Sequence, residues 1–136
     1  MRSRSLPLVY ACSGCSSVAQ AANHLAVKLD RAGKAEMSCI SGVGGGVRSL
    51  VKTARSGRPV LALDGCALAC VKACLDNAGV QPDIHLVLNQ LGARKRYQAD
   101  CSEAELAVAD AVVTEAVEAL QREIGRAAGT DVLVDG

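Results

Sequence analysis

The sequence contains no Phe and no Trp, and its only aromatic residues are Tyr10 and Tyr97. A core without large rings must be filled by Val, Leu, Ile and Ala, which suits a sheet covered by helices. The same shortage removes the stacking platform on which single-stranded nucleic acid is usually held. Net charge is +1, so no strong field draws in a phosphate backbone, and nucleic acid is not an expected partner. No apolar run approaches the roughly 20 residues of a membrane span, so a membrane is not expected either. The basic start, Met1-Arg2-Ser3-Arg4-Ser5, is followed by an apolar stretch that reaches Cys12 too soon for a secretory signal, which makes the cytoplasm the expected compartment.

What the chain does have is apolar residues at 50%, charged residues at 21%, and seven cysteines in 136 residues. The first two figures fit a folded domain rather than a disordered one, and the length suits a single domain over 1–136. The cysteines are Cys12, Cys15, Cys39, Cys66, Cys70, Cys74 and Cys101. An odd count with no export signal argues against a disulfide framework and for metal or redox chemistry.

Hydrophobic patterning alternates strand and helix. Residues 6–11 form an apolar run that reads as a buried strand. Ser16 and Ser17 can cap a helix whose apolar stripe includes Val18, Ala22, Leu25 and Leu29 and which stops at Gly33. A short strand is expected over 35–40, then a glycine-rich turn over 41–46 and a helix from about Val47 to Arg55. Val60-Leu61-Ala62-Leu63 is the clearest buried strand. Asp64-Gly65 turns into a helix expected to start near Cys66 and end before Gly79. A fourth strand is expected over 84–88. The last helix opens with a capping box, Ser102 with Glu105, and carries a stripe through Leu106, Ala109, Val113, Val117, Leu120 and Ile124. Val132-Leu133-Val134 reads as an edge strand or a docked tail. This order predicts an α/β fold: a three-layer, Rossmann-like domain with a mainly parallel sheet of four or five strands and helices on both faces.

In such folds binding sites lie beyond the carboxyl ends of the strands. Cys12 and Cys15 follow the first strand, Cys39 ends the second, and Cys66, Cys70 and Cys74 follow the third. Parallel strands therefore gather six cysteines at one edge of the sheet. Zinc holds thiolates at about 2.3 Å in a tetrahedral shell, so bound sulfurs must lie about 4 Å apart. On a continuous helix Cys66 and Cys70 would share a face about 6 Å apart in rise, whereas Cys74 would sit about 12 Å from Cys66. Cys74 is accordingly read as a packed cysteine, and Cys101, before the last helix, as distant from the rest. Asp64 is read as the cap of the third helix, whose N-terminal end favours a thiolate at Cys66.

The ordered set Cys12-Ser13-Gly14, Met37-Ser38-Cys39 and Asp64-Gly65-Cys66 with Cys70 and Lys72 resembles the DGC-domain family of proposed zinc-binding proteins, over about Val9 to Tyr97. The resemblance implies that Cys12, Cys39, Cys66 and Cys70 chelate zinc. Cys15 and Cys74 are thiols beyond that set, and Cys15 can take the place of one of the four. The expected metal residues are thus Cys12, Cys15, Cys39, Cys66 and Cys70, with zinc as the cofactor. Two other chemistries use the same residues: thiol–disulfide exchange at Cys12-Ser13-Gly14-Cys15, or an iron–sulfur cluster.

Weaker signals surround this one. The turn Gly42 to Gly46 has no P-loop or dinucleotide spacing, yet its N–H groups could meet a small anion beside the cysteines. His24 and His85 have no partner at metal-site spacing and read as packing or surface residues. Arg94-Lys95-Arg96 reads as a solvated loop. The acidic residues of the last helix, Glu105 and Asp110 among them, read as its solvated face. Nothing in the sequence names a protein partner.

Overall fold

The computed structural model describes residues 6–135, with side chains through Ala127. In chain order the elements are β1 (Leu8–Ala11), α1 (Ser17–Arg31), β2 (Glu36–Met37), α2 (Ile40–Gly44), α3 (Arg48–Ala54), β3 (Val60–Asp64), α4 (Cys70–Asn77), β4 (Ile84–Val87), a 3-10 turn (Leu88–Leu91) and α5 (Glu103–Asp135). The four strands form one sheet in the order β2-β1-β3-β4, and every pairing is parallel.

Side chains divide between the faces with the period of two that a strand imposes. Val9, Ala11, Leu61 and Leu63 pack with α1 and α5 through Val18, Leu25, Val113 and Leu120. Leu8, Tyr10, Val60 and Ala62 pack on the other face with Val43, Ala54, Val71 and Leu75 of α2, α3 and α4. Both faces of β1 and β3 are buried, which explains why these strands read as continuous apolar runs. The expected three-layer parallel α/β fold is therefore present. Each fully buried Val or Leu contributes about 1.5–3 kcal/mol of hydrophobic stabilisation, so small side chains suffice for a core without Phe or Trp.

Several boundaries differ from expectation. The strand expected over 35–40 is reduced to Glu36–Met37, and the expected glycine-rich turn begins as a helix, α2. Glycines are poor helix formers, so packing overrides propensity here. A Cβ on Gly42 would stand 2.0 Å from Leu50 Cδ1, and one on Gly44 would stand 2.7 Å from Cys74 Sγ. Glycine at both positions lets α2 lie directly on α3 and α4. Val132-Leu133-Val134 is helical and not an edge strand, because α5 runs to Asp135. The helix expected to start near Cys66 starts at Cys70.

No helix among the described residues is long and apolar enough to cross a membrane.

A cysteine pocket at the switch point of the sheet

The chain leaves β1 toward β2 on one side, then crosses to β3 on the other. The carboxyl ends of β1 and β3 thus diverge, and the crevice between their outgoing loops is where ligands bind in open parallel sheets. Cys12 follows β1 and Cys66 follows β3. Cys12, Cys15, Cys66 and Cys70 line a single pocket of about 190 Å³ there, together with Gly65, Lys95 and Tyr97. Cys15 and Cys70 are exposed, and Cys12 and Cys66 are half-buried.

The Asp64-Gly65-Cys66 segment builds this pocket residue by residue. Ala62 and Asp64 share a strand face that looks toward α4. Asp64 is only 1% exposed and accepts hydrogen bonds from the Val71 N–H at 2.8 Å and the Lys72 N–H at 3.2 Å. It therefore caps α4 from a distant strand, as expected of a cap but without belonging to the helix. His85 stands opposite Ala62 in the β3–β4 register, on the same face, and its Nε2 lies 2.8 Å from Asp64 Oδ2. An ionised carboxylate only accepts, so Nε2 carries the proton and donates. His85 is thus not a bland packing residue; it fixes the carboxylate that starts α4.

Gly65 approaches α1 too closely for any side chain. A Cβ there would lie 2.7 Å from Ala19 N and from Val18 C, and 2.8 Å from Val18 O. Its N–H donates to Cys12 Sγ at 3.2 Å, which ties the β1 loop to the β3 loop. Cys66 follows in a turn, not a helix. Ala69 then adopts left-handed geometry, φ 52° and ψ 49°, a conformation unfavourable for a residue with a Cβ. This bend, with the Asp64 cap beyond it, sets Cys70 as the first residue of α4. Cys66 and Cys70 are therefore not stacked on one helix face, and the helix N-terminus falls at Cys70 rather than Cys66.

The basic run is part of the site, contrary to its reading as a solvated loop. The Ser17 N–H donates to Arg96 O at 2.8 Å, the Ser17 hydroxyl donates to Arg94 O at 3.1 Å, and Ser16 pairs with Tyr97 in an antiparallel bridge. From the other side Glu105 accepts from the Arg94 N–H and binds Arg96 Nη1 at 2.7 Å. Held between these clamps, Lys95 places Nζ 3.5 Å from Cys66 Sγ and 5.2 Å from the centre of the Tyr97 ring. Hydrogen bonding to Tyr97, then to Cys66, pushes the Lys95 pKa up, so the ammonium is present at neutral pH. Glu105 is held down to about 2 by the Arg94 and Ser102 N–H groups and then by Arg96. It belongs to this clamp rather than to a solvated face.

Burial raises the Cys12 thiol above its ordinary value. The Gly65 N–H opposes that shift, and Asp64, Cys70 and Cys66 add to it. Among the described residues, no group of three or more His, Cys, Asp or Glu side chains is already arranged to hold a metal ion. The four sulfurs share a pocket without forming a closed shell.

The other cysteines lie elsewhere. Cys39 precedes α2 and lines a separate depression with Ser38 and Ile40, so it shares the strand-end rim but not the pocket. Cys74 packs against Gly44, and burial, followed by Cys70 and Asp64, raises its pKa. Cys101 lies beside Ser17 and His24 in another hollow. His24 lines no part of the cysteine pocket. Sequence reasoning missed Lys95 and His85. The signal for His85 was its strand parity with Asp64, usable only once β3 and β4 are known to be neighbours in a given register.

Comparison with known proteins places the chain in a family. No solved structure matches the chain. It is 67% identical over 96 residues to the "Anaerobic and virulence modulator AnvM" of Pseudomonas aeruginosa, covering 71% of this chain and 73% of that protein. The DGC domain matches residues 8–120, which hold the sheet, the cysteine pocket and most of the helical cover. The chain therefore belongs to the DGC-domain family.

Proposed function

We propose that this protein binds a soft metal ion, zinc, through Cys12, Cys15, Cys66 and Cys70. The observation that carries the reading is that four of seven cysteines, from two separate strand-end loops, line one pocket of about 190 Å³. Thiolate donors in a four-coordinate shell suit zinc. Four thiolates on a divalent ion leave a net charge of −2. Lys95 against Cys66 and the Gly65 N–H on Cys12 offset that charge from within the pocket wall. In this reading Cys15 takes the place that the family resemblance gives to Cys39, because Cys39 faces a different depression. Closure of the shell draws in Cys15, which sits on the exposed loop before α1. The relative's name, an anaerobic and virulence modulator, favours a regulatory role for the site.

Cobalt(II) substitution tests the ligand set. Thiolate-to-cobalt charge-transfer absorption should appear on titration and weaken in Cys12→Ser, Cys15→Ser, Cys66→Ser and Cys70→Ser, while Cys39→Ser, Cys74→Ser and Cys101→Ser leave it intact. Loss of the band in Cys39→Ser with retention in Cys15→Ser would restore the family's original set. A brown, iron-containing protein after anaerobic purification would replace zinc by an iron–sulfur cluster. Colourless, metal-free protein with disulfide reductase activity that Cys15→Ser abolishes would replace both by thiol–disulfide exchange.

A further inference from the structure

A groove of about 850 Å³, larger than the cysteine pocket, is walled by α2, α3 and the end of α4. No cysteine lines it, so it is independent of the metal reading. Its volume falls within the roughly 300–1,000 Å³ typical of small-molecule sites.

The chemistry of the walls is one-sided. Arg48, Lys52 and Arg55 all line the groove, with no Asp or Glu among the lining residues. They stand at i, i+4 and i+7, which puts them on one face along about 10 Å of helix axis. All three are exposed, and among the described residues none forms a salt bridge. Val43, 2% exposed, and half-buried Val51 give the groove an apolar side. Gly44, where a Cβ would stand 2.7 Å from Cys74 Sγ, also lines the groove. Cations on a surface ordinarily alternate with carboxylates. Three that converge unpaired on one concave, partly apolar space match a ligand with several negative charges and an apolar body. Arg guanidinium groups suit planar, two-pronged contact with phosphate or carboxylate.

We propose that the groove between α3 and the α2–α4 pair is a second ligand site, for a small organic polyanion bearing phosphate or carboxylate groups, held by Arg48, Lys52 and Arg55. Gly44 and Gly46 of the glycine-rich segment also line this groove, so a ligand held here would lie beside that segment and apart from the cysteine pocket.

Calorimetric titration at low ionic strength with phenyl phosphate, phthalate, inorganic phosphate and a ten-residue glutamate peptide tests the proposal. Phenyl phosphate or phthalate should bind saturably and at least tenfold more tightly than inorganic phosphate; the tighter of the two identifies the anionic group. Arg48→Gln combined with Arg55→Gln should weaken binding at least tenfold, whereas Arg31→Gln combined with Lys34→Gln, an equal charge change at the end of α1, should leave it within twofold. Thermal melts confirm that both exposed double variants fold. Equal weakening by the two double variants, organic anions that bind no better than inorganic phosphate, or tightest binding of the glutamate peptide would each overturn the proposal.

Discussion

Replacing Gly65 by Ala tests how the Asp-Gly-Cys segment builds the site. The added Cβ would meet Ala19 N and Val18 C at 2.7 Å and Val18 O at 2.8 Å. Carbon atoms in good contact sit about 3.5–4.0 Å apart, so each approach is short by close to 1 Å. The colliding atoms are backbone in the first turn of α1, which is itself tied down by Ser17 and Arg96, and cannot swing aside as a side chain would. Overpacking usually costs about 1–3 kcal/mol, and a backbone clash belongs at the upper end, about 3 kcal/mol. For a domain of this size that lowers Tm by about 10 °C. The shift also pulls the Gly65 N–H from Cys12, so metal affinity should fall with stability. Differential scanning calorimetry of reduced, metal-free protein reads the first effect. Gly125→Ala is the control: nothing lies within 4 Å of that position, and in a helix the change should be neutral or stabilise by up to about 1 kcal/mol. A Gly65→Ala protein melting within ~2 °C of wild type would refute the close approach of β3 to α1.

Other outcomes follow from the same structure. Asp64→Ala strands the Val71 and Lys72 N–H groups and His85 Nε2, and urea unfolding should show a loss of about 3 kcal/mol or more, since hydrogen bonds to charged groups are each worth about 1.5–3 kcal/mol. Gly44→Ala should cost about 1–3 kcal/mol through its clash with Cys74 Sγ, and part of that should return in the double variant with Cys74→Ala, a coupling of about 1 kcal/mol in a double-mutant cycle. Glu105 has a folded pKa lowered from 4.5 to about 2. Its stabilising effect is therefore complete above 4.5 and lost as the pH falls toward 2, because the unfolded chain takes up the proton first. Glu105→Gln should flatten the stability–pH curve over that interval, and an unchanged acid limb would contradict the clamp on Arg94 and Arg96.

The architecture was legible because its signals are repetitive. Val60 to Leu63 and the stripe of the last helix each repeat a period several times, and alternation of strand and helix leaves few topologies. Convergence of Cys12, Cys66 and Cys70 followed from that topology alone. What was illegible depends on single contacts between distant residues. The start of α4 at Cys70 is set by Asp64, a strand residue, and by a left-handed Ala69 that no propensity favours. Cys39 sits on the same rim but in another depression, because β2 ends at Met37 and α2 turns the chain away. Lys95 reaches Cys66 only because Ser17 and Glu105 fasten the loop from both sides. A basic run read in isolation carries no trace of those clamps.

The central claim is that the switch-point thiols hold a metal ion, and elemental analysis of untagged protein purified without oxygen tests it most directly. Near-stoichiometric zinc should accompany the wild-type chain and disappear in the Cys66→Ala, Cys70→Ala double variant, while the Cys74→Ala, Cys101→Ala protein keeps it. Wild-type protein that is metal-free as isolated, takes up no zinc and unfolds at the same temperature with or without it would contradict the account.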